Sequence, residues 1–326
     1  MTARLTNTGK WTKIFCSKNL PTLTILLLFL FAAIISSCRR QENDMENNMT
    51  QNSMDRPEIL RFLFHPRATA KTPPPEGTMD IDVPVAADVT IGCRLFKAEK
   101  EAPIILFFHG NGEIVADYDD IGPFYQQQGL NFLVTDYRGY GWSSGSPTSS
   151  TMLTDARTLY VDLLKKLRAD GYTGSVFLMG RSLGSACAID LAALHNDEIA
   201  GLIIESGFAE TLPLARTLGI DTDQLGIAEE DTFDNSRKME SITKPTFILH
   251  GQRDNLIPLW QAEKLMAASG ARSKELQIVP GADHNTLIAV GGMLYFQAIK
   301  QFINKVEGGD DWRKRRRAAR EKQQEN

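Results

Sequence analysis

The body of this 326-residue chain predicts an α/β fold in which helices cover a mainly parallel sheet, with an antiparallel hairpin at its N-terminal end and one small lid insertion. Two patterns predict it. Six short apolar runs, "IILFF", "NFLVT", "SVFLM", "GLIIE", "TFILH" and "LQIV", alternate with longer stretches of helical period, as expected for strands buried on both faces. Ahead of them, "TMDIDVPV" and "VTIGCRLFKA" alternate apolar with polar residues on either side of the turn-like "AAD", which predicts the hairpin.

Taken in order, the elements after the hairpin are each marked by period or by length. From Thr151 to Arg168 the helical period places Leu153, Ala156, Tyr160, Leu163 and Leu167 on one face, a stripe that predicts core packing. Between "GLIIE" and "TFILH" lie residues 206–244, longer than an ordinary crossover requires. They are expected to form either a lid over a pocket or a plain surface excursion. Cys93 in a strand-like run and Cys187 in a helix-like one are expected to be separately buried thiols. No Cys/His spacing suggests a metal site, and no cofactor is expected.

G-x-S-x-G occurs twice, as "GWSSG" at Gly141–Gly145 and "GRSLG" at Gly180–Gly184. A nucleophile elbow needs a buried strand before it and a helix after it, so that a tight turn holds the hydroxyl at the strand end and the helix N-terminus faces the reacting carbonyl. "SVFLMGRSLGSACAIDLAALH" supplies both, which makes Ser182 the predicted nucleophile. In "DYRGYGWSSGSPTSS" a strand is followed only by polar and glycine residues. Ser143 is therefore expected in a flexible loop near the mouth of the site.

Serine alone is a poor nucleophile and needs a base and an orienting acid. His284, in "VPGADHN", follows the last predicted strand and precedes the final helix, and is the best general base. His195 ends a helix, His65 lies in the entry segment, and His109 and His250 stand in "HG" pairs after strands, where the side chain packs beneath the turn. "FILHGQRDNLIP" offers Asp254 as the acid. The order Ser182, Asp254, His284 matches one particular architecture.

From about Ile59 to Phe302 the chain resembles the α/β-hydrolase superfamily, close to small membrane-associated serine hydrolases and the serine-aminopeptidase-like group. The resemblance rests on "FFHGNG", "DYRGYGWSSG", "GRSLG", "LHGQRDNLIP" and "GADHN". It implies an α/β-hydrolase domain at 58–306, with oxyanion-hole amides from Asn111 and Leu183. The expected reaction is acyl transfer to water, with an ester or thioester of a small acyl substrate cleaved through an acyl-enzyme. A serine peptidase of the same fold and a catalytically silent binding module are the alternatives.

The ends read differently. Arg4, Lys10, Lys13 and Lys18 precede an almost wholly apolar run from Leu20 to Ile35 and then "SSC" at Ser36–Cys38. Residues 1–37 therefore read as an export signal, and the small residues before Cys38 resemble the lipobox of bacterial lipoproteins, in which that cysteine is lipidated. An uncleaved anchor is the alternative; either way the expectation is an exported, membrane-tethered protein. Residues 38–57 are polar, rich in Asn and read as a flexible tether.

Residues 1–40 carry six basic and no acidic side chains and residues 310–326 seven basic against four acidic, so of the net charge of −4 the intervening body holds −13. A body so acidic argues against nucleic acid as a partner. The basic tail, 307–326, suits either anionic headgroups near the membrane or a solvated extension.

Overall fold

A computed structural model describes residues 53–308. The signal, Cys38, most of the tether and the tail beyond Gly308 lie outside the described residues. Among the described residues no helix is long and apolar enough to cross a membrane. Helix α1 (Pro57–Leu63) leads into the hairpin of β1 (Thr78–Ala86) and β2 (Val89–Phe96). Residues 53–57, assigned by composition to the tether, already pack: Met54 is buried, and the Ser149 hydroxyl donates to its carbonyl. Met45, Met49 and Met54 are too few in this polar run to set a period by which Met54 could be noticed.

The remaining strands are β3 (Ile104–Phe108), β4 (Asn131–Thr135), β5 (Val176–Arg181), β6 (Gly201–Glu205), β7 (Thr246–Gly251) and β8 (Lys274–Val279). They pair in the order β1-β2-β4-β3-β5-β6-β7-β8. β1 with β2 and β2 with β4 are antiparallel, and every pair from β4 onward is parallel. All eight predicted strands are present. The apolar runs arise because both faces are covered: Ile104, Leu106 and Phe108 enter one core while Ile105 and Phe107 enter the other. The edge strand β1 breaks the pattern with Asp80, Asp82 and Pro84, which discourages pairing with another chain.

Helices fill both faces. α2 is Gly122–Gln127, α3 is Ser149–Ala169 and α4 is Gly184–Leu194. On α3 the predicted residues Ala156, Tyr160, Leu163 and Leu167 are buried in one core with Cys187 of α4, and the two thiols are free and buried. The opposite core takes Tyr125 of α2.

The long β6–β7 connection has two parts. α5 (Thr211–Thr217) and a turn at Glu229–Asp231 form an excursion, whereas α6 (Asn235–Ser241) packs on α4 and α7 (Leu259–Ala268) as a crossover helix. The excursion rests on the N-terminal segment, since Arg56 donates to the Leu225 carbonyl at 2.7 Å. α8 (Leu287–Gly291) and α9 (Met293–Val306) are the last described helices, with Phe296, Ile299, Phe302 and Ile303 in the second core.

One feature of the order positions the site. From β3 the chain steps outward to β4 and then back across to β5, its other neighbour. The winding direction reverses there, which leaves a crevice at the carboxyl ends of β3 and β5.

Candidate active site

Ser182 stands at the end of β5 in that crevice. Its φ is +51°, a region that non-glycine residues enter at a cost of about 1–3 kcal/mol. Neighbours hold it there: the Ser182 amide donates to the Glu205 carbonyl at 2.9 Å, while the Ser185 amide and hydroxyl both donate to the Ser182 carbonyl. The flanking glycines are required by close approach. A Cβ at Gly180 would sit 2.3 Å from the Gly184 carbonyl oxygen, and one at Gly184 would sit 2.1 Å from that of Phe108.

The loop after β8 brings His284 to the same point, with Nε2 2.9 Å from Ser182 Oγ. Asp254, in the turn after β7, receives His284 Nδ1 at 2.7 Å on Oδ2. Its other oxygen accepts the amides of Leu256 and Ile257 at 3.0 and 2.8 Å. A carboxylate at Nδ1 fixes the proton on that nitrogen and leaves the Nε2 lone pair for the serine hydroxyl. The arrangement can therefore remove a proton from Ser182 Oγ and return it to a leaving group. His250, beneath the same turn, donates from Nε2 to the Ile257 carbonyl at 2.7 Å. Burial pushes its pKa below the ordinary value, so it adds no charge beside Asp254.

Asn111 lies in the turn after β3 and Leu183 follows Ser182. Among the described residues neither backbone amide donates a hydrogen bond, so both are free for a ligand. The Asn111 side chain is engaged elsewhere: its Oδ1 accepts the His65 amide at 2.8 Å and the Tyr140 hydroxyl at 2.7 Å, and its Nδ2 meets His65 Nδ1. Sequence reasoning missed His65 and Tyr140 as the residues that hold this turn.

Asp136 and Tyr137 of "DYRGYG" serve the same turn from below. Asp136 Oδ1 receives buried His109 and the Val115 amide, and the Tyr137 hydroxyl donates to the His109 carbonyl. His109 thus packs under its turn as expected. Among the described residues no group of His, Cys, Asp and Glu is placed to hold a metal ion.

Ser143 departs from expectation. It lies outside helix and strand, but it is buried and its Oγ accepts the Gly92 amide of β2 at 2.9 Å, with the neighbouring Ser144 amide donating to the Thr90 carbonyl. These bonds stitch the first G-x-S-x-G, "GWSSG", to the sheet. A Ser143→Ala variant strands a buried amide and should lose about 1–3 kcal/mol of stability while kcat/KM per folded molecule stays within about twofold. Urea unfolding together with steady-state kinetics checks both.

Comparison with known proteins agrees with this architecture. A family model described as "Serine aminopeptidase, S33" matches residues 99–217. The chain is 30% identical to human alpha/beta hydrolase domain-containing protein 17B over 219 residues, 66% of this chain and 71% of that one. Among solved structures, an esterase of Pyrococcus furiosus superposes with a TM-score of 0.60 at 19% identity, covering 74% of this chain and 98% of the esterase. A monoglyceride lipase of Saccharomyces cerevisiae gives 0.57 at 19% identity, covering 72% and 96%. With this sheet order, an elbow between β5 and α4, and that identity across two thirds of both chains, the protein belongs to the α/β-hydrolase superfamily.

Proposed function

We propose that the protein hydrolyses an ester or thioester of an acyl substrate through an acyl-enzyme on Ser182. The observation that carries this reading is the unbroken line of hydrogen bonds from Ser182 Oγ through His284 to Asp254. His284 Nε2 takes the hydroxyl proton as Oγ attacks the carbonyl carbon. The oxyanion that forms is received by the amides of Asn111 and Leu183, each stabilising it by roughly 2.7–4 kcal/mol. His284 then protonates the departing oxygen or sulfur, and water attacks the acyl-serine by the same route in reverse.

An ester substrate is favoured by likeness of fold to an esterase and a monoglyceride lipase. A peptidase is the second reading, because the matching family model is described as a serine aminopeptidase. In either case the leader reading, with Cys38 lipidated or the apolar run retained as an anchor, makes this a membrane-tethered, exported enzyme whose membrane contact is that leader.

The test is covalent. A fluorophosphonate probe should label the full-length protein at Ser182, identified by peptide mass, and a panel of p-nitrophenyl esters, acyl thioesters and aminoacyl amides should be turned over in favour of the first two. Failure of the folded protein to label would favour a silent binding module, and preference for the amides would favour the peptidase.

A further inference from the structure

Arg181, the residue before the nucleophile, has no part in the proton transfers above, yet its guanidinium is bound on three sides. Nη1 donates to Glu113 in the turn after β3, Nε to Glu205 at the end of β6 at 3.2 Å, and Nη2 to the His284 carbonyl at 2.9 Å and Asn285 Oδ1 at 3.3 Å. The carboxylates are themselves anchored. Glu113 Oε2 accepts the Gly110 amide at 2.8 Å and the Tyr118 hydroxyl at 2.7 Å, and Glu205 Oε2 accepts the Tyr295 hydroxyl at 2.6 Å. The turn carrying Asn111 is pressed onto this group so closely that a Cβ at Gly110 would lie 2.6 Å from Arg181 Nη1.

Such a cluster is a poor way to gain stability. Burial alone would lower the Arg181 pKa, and the charges of Glu113 and Glu205 reverse that and raise it. Burial also raises the Glu113 carboxyl, but Arg181 and Tyr118 bring it below its ordinary value. For Glu205 burial prevails over Arg181 and Tyr295, and its pKa stays raised. Removing charges from water is costly, and well-packed apolar residues often serve stability equally well. What an apolar side chain cannot do is bond in three fixed directions at once. The planar guanidinium, with its five donors, can.

We infer that Arg181 is a positioning residue: from the strand end that bears the nucleophile, it sets the backbone of His284 on one side and the turn carrying Asn111 on the other. This rests on the acyl-transfer reading above. Arg181 touches no reacting atom. Beside it lies a cavity of about 340 Å³ lined by Glu113, Tyr118, Ile121, Glu205, Leu287 and Ile288 among others, with neither Ser182 nor His284 in its wall. The cavity leaves room for the histidine loop to shift when the guanidinium is lost.

The experiment compares the full-length protein with Arg181→Lys, which keeps the charge but not the fork, and with the neutralised triple variant Arg181→Met, Glu113→Gln, Glu205→Gln. For each, the unfolding midpoint, kcat and KM on a p-nitrophenyl ester, and the second-order rate of fluorophosphonate labelling are measured per folded molecule. A displacement of about 1 Å at a reacting group costs about 100-fold. Both variants should therefore lose about 100-fold in kcat and in labelling rate, with KM within about threefold. If Arg181→Lys does not fold, the triple variant, which strands no charge, decides.

A folded variant that matches the wild-type kcat and labelling rate, whatever its midpoint, overturns the positioning role and leaves the acyl-transfer reading intact. A wild-type protein that never labels at Ser182 overturns the reading itself.

Discussion

Ser182→Ala should lower turnover by on the order of a millionfold. Neither Ser185 nor Ser143 substitutes, because Ser185 Oγ is committed to the Ser182 carbonyl at 2.6 Å and Ser143 is bonded to strand β2. The amides of Asn111 and Leu183 survive the change, so the variant should retain a residual acceleration of roughly 10³–10⁴ over water. Alanine suffers the same steric objection as serine to a φ of +51°, so the unfolding midpoint should hardly move. Single-turnover kinetics, with labelled enzyme counted to exclude wild-type contamination, measure the loss. A variant that keeps one hundredth of wild-type turnover would remove Ser182 from the mechanism.

Asp254→Asn is the second large effect, about 10⁴-fold in kcat by analogy with the loss of an orienting aspartate from a Ser-His-Asp triad. The reason lies in which groups face the carboxylate. The Leu256 and Ile257 amides both donate to Oδ1, so the oxygen of an asparagine must point to them and its NH₂ must face His284 Nδ1. That nitrogen then has to accept, which moves the ring proton to Nε2, and a protonated Nε2 cannot take the serine proton. Size and backbone contacts are preserved, so KM and folding should change little. Turnover within tenfold of wild type would show that Asp254 does not orient the base.

What could be read in advance follows from what each feature depends on. The inner strands β3 to β7 were legible because burial on both faces leaves mostly apolar letters, and Ser182, Asp254 and His284 were candidates because each lies within five residues of the end of an apolar run. Contacts made by tertiary closure leave no such trace. His65 reaches Asn111 across 46 positions. Arg181 reads as filler within "GRSLG", and its partners Glu113 and Glu205 are single acids beside strands, indistinguishable by letter from solvated ones. α6 is only seven residues long, too short for its period to separate a crossover helix from the excursion before it. Ser143 shows the opposite failure. A glycine-rich loop suggests mobility, but its hydroxyl replaces a strand partner for Gly92, and that depends on register alone.

The sheet order also sets a timetable. Ser182 and His284 are 102 positions apart, and His284 follows β8, the last of the described strands in chain order and an outer one in the sheet. At roughly 5–20 residues per second, a growing chain holds a finished elbow for about 5–20 s before its histidine exists. Throughout that interval the serine is an ordinary alcohol. A chain cut short between residues 251 and 274 would carry seven strands and the elbow, and still lack the imidazole that the proposed chemistry needs.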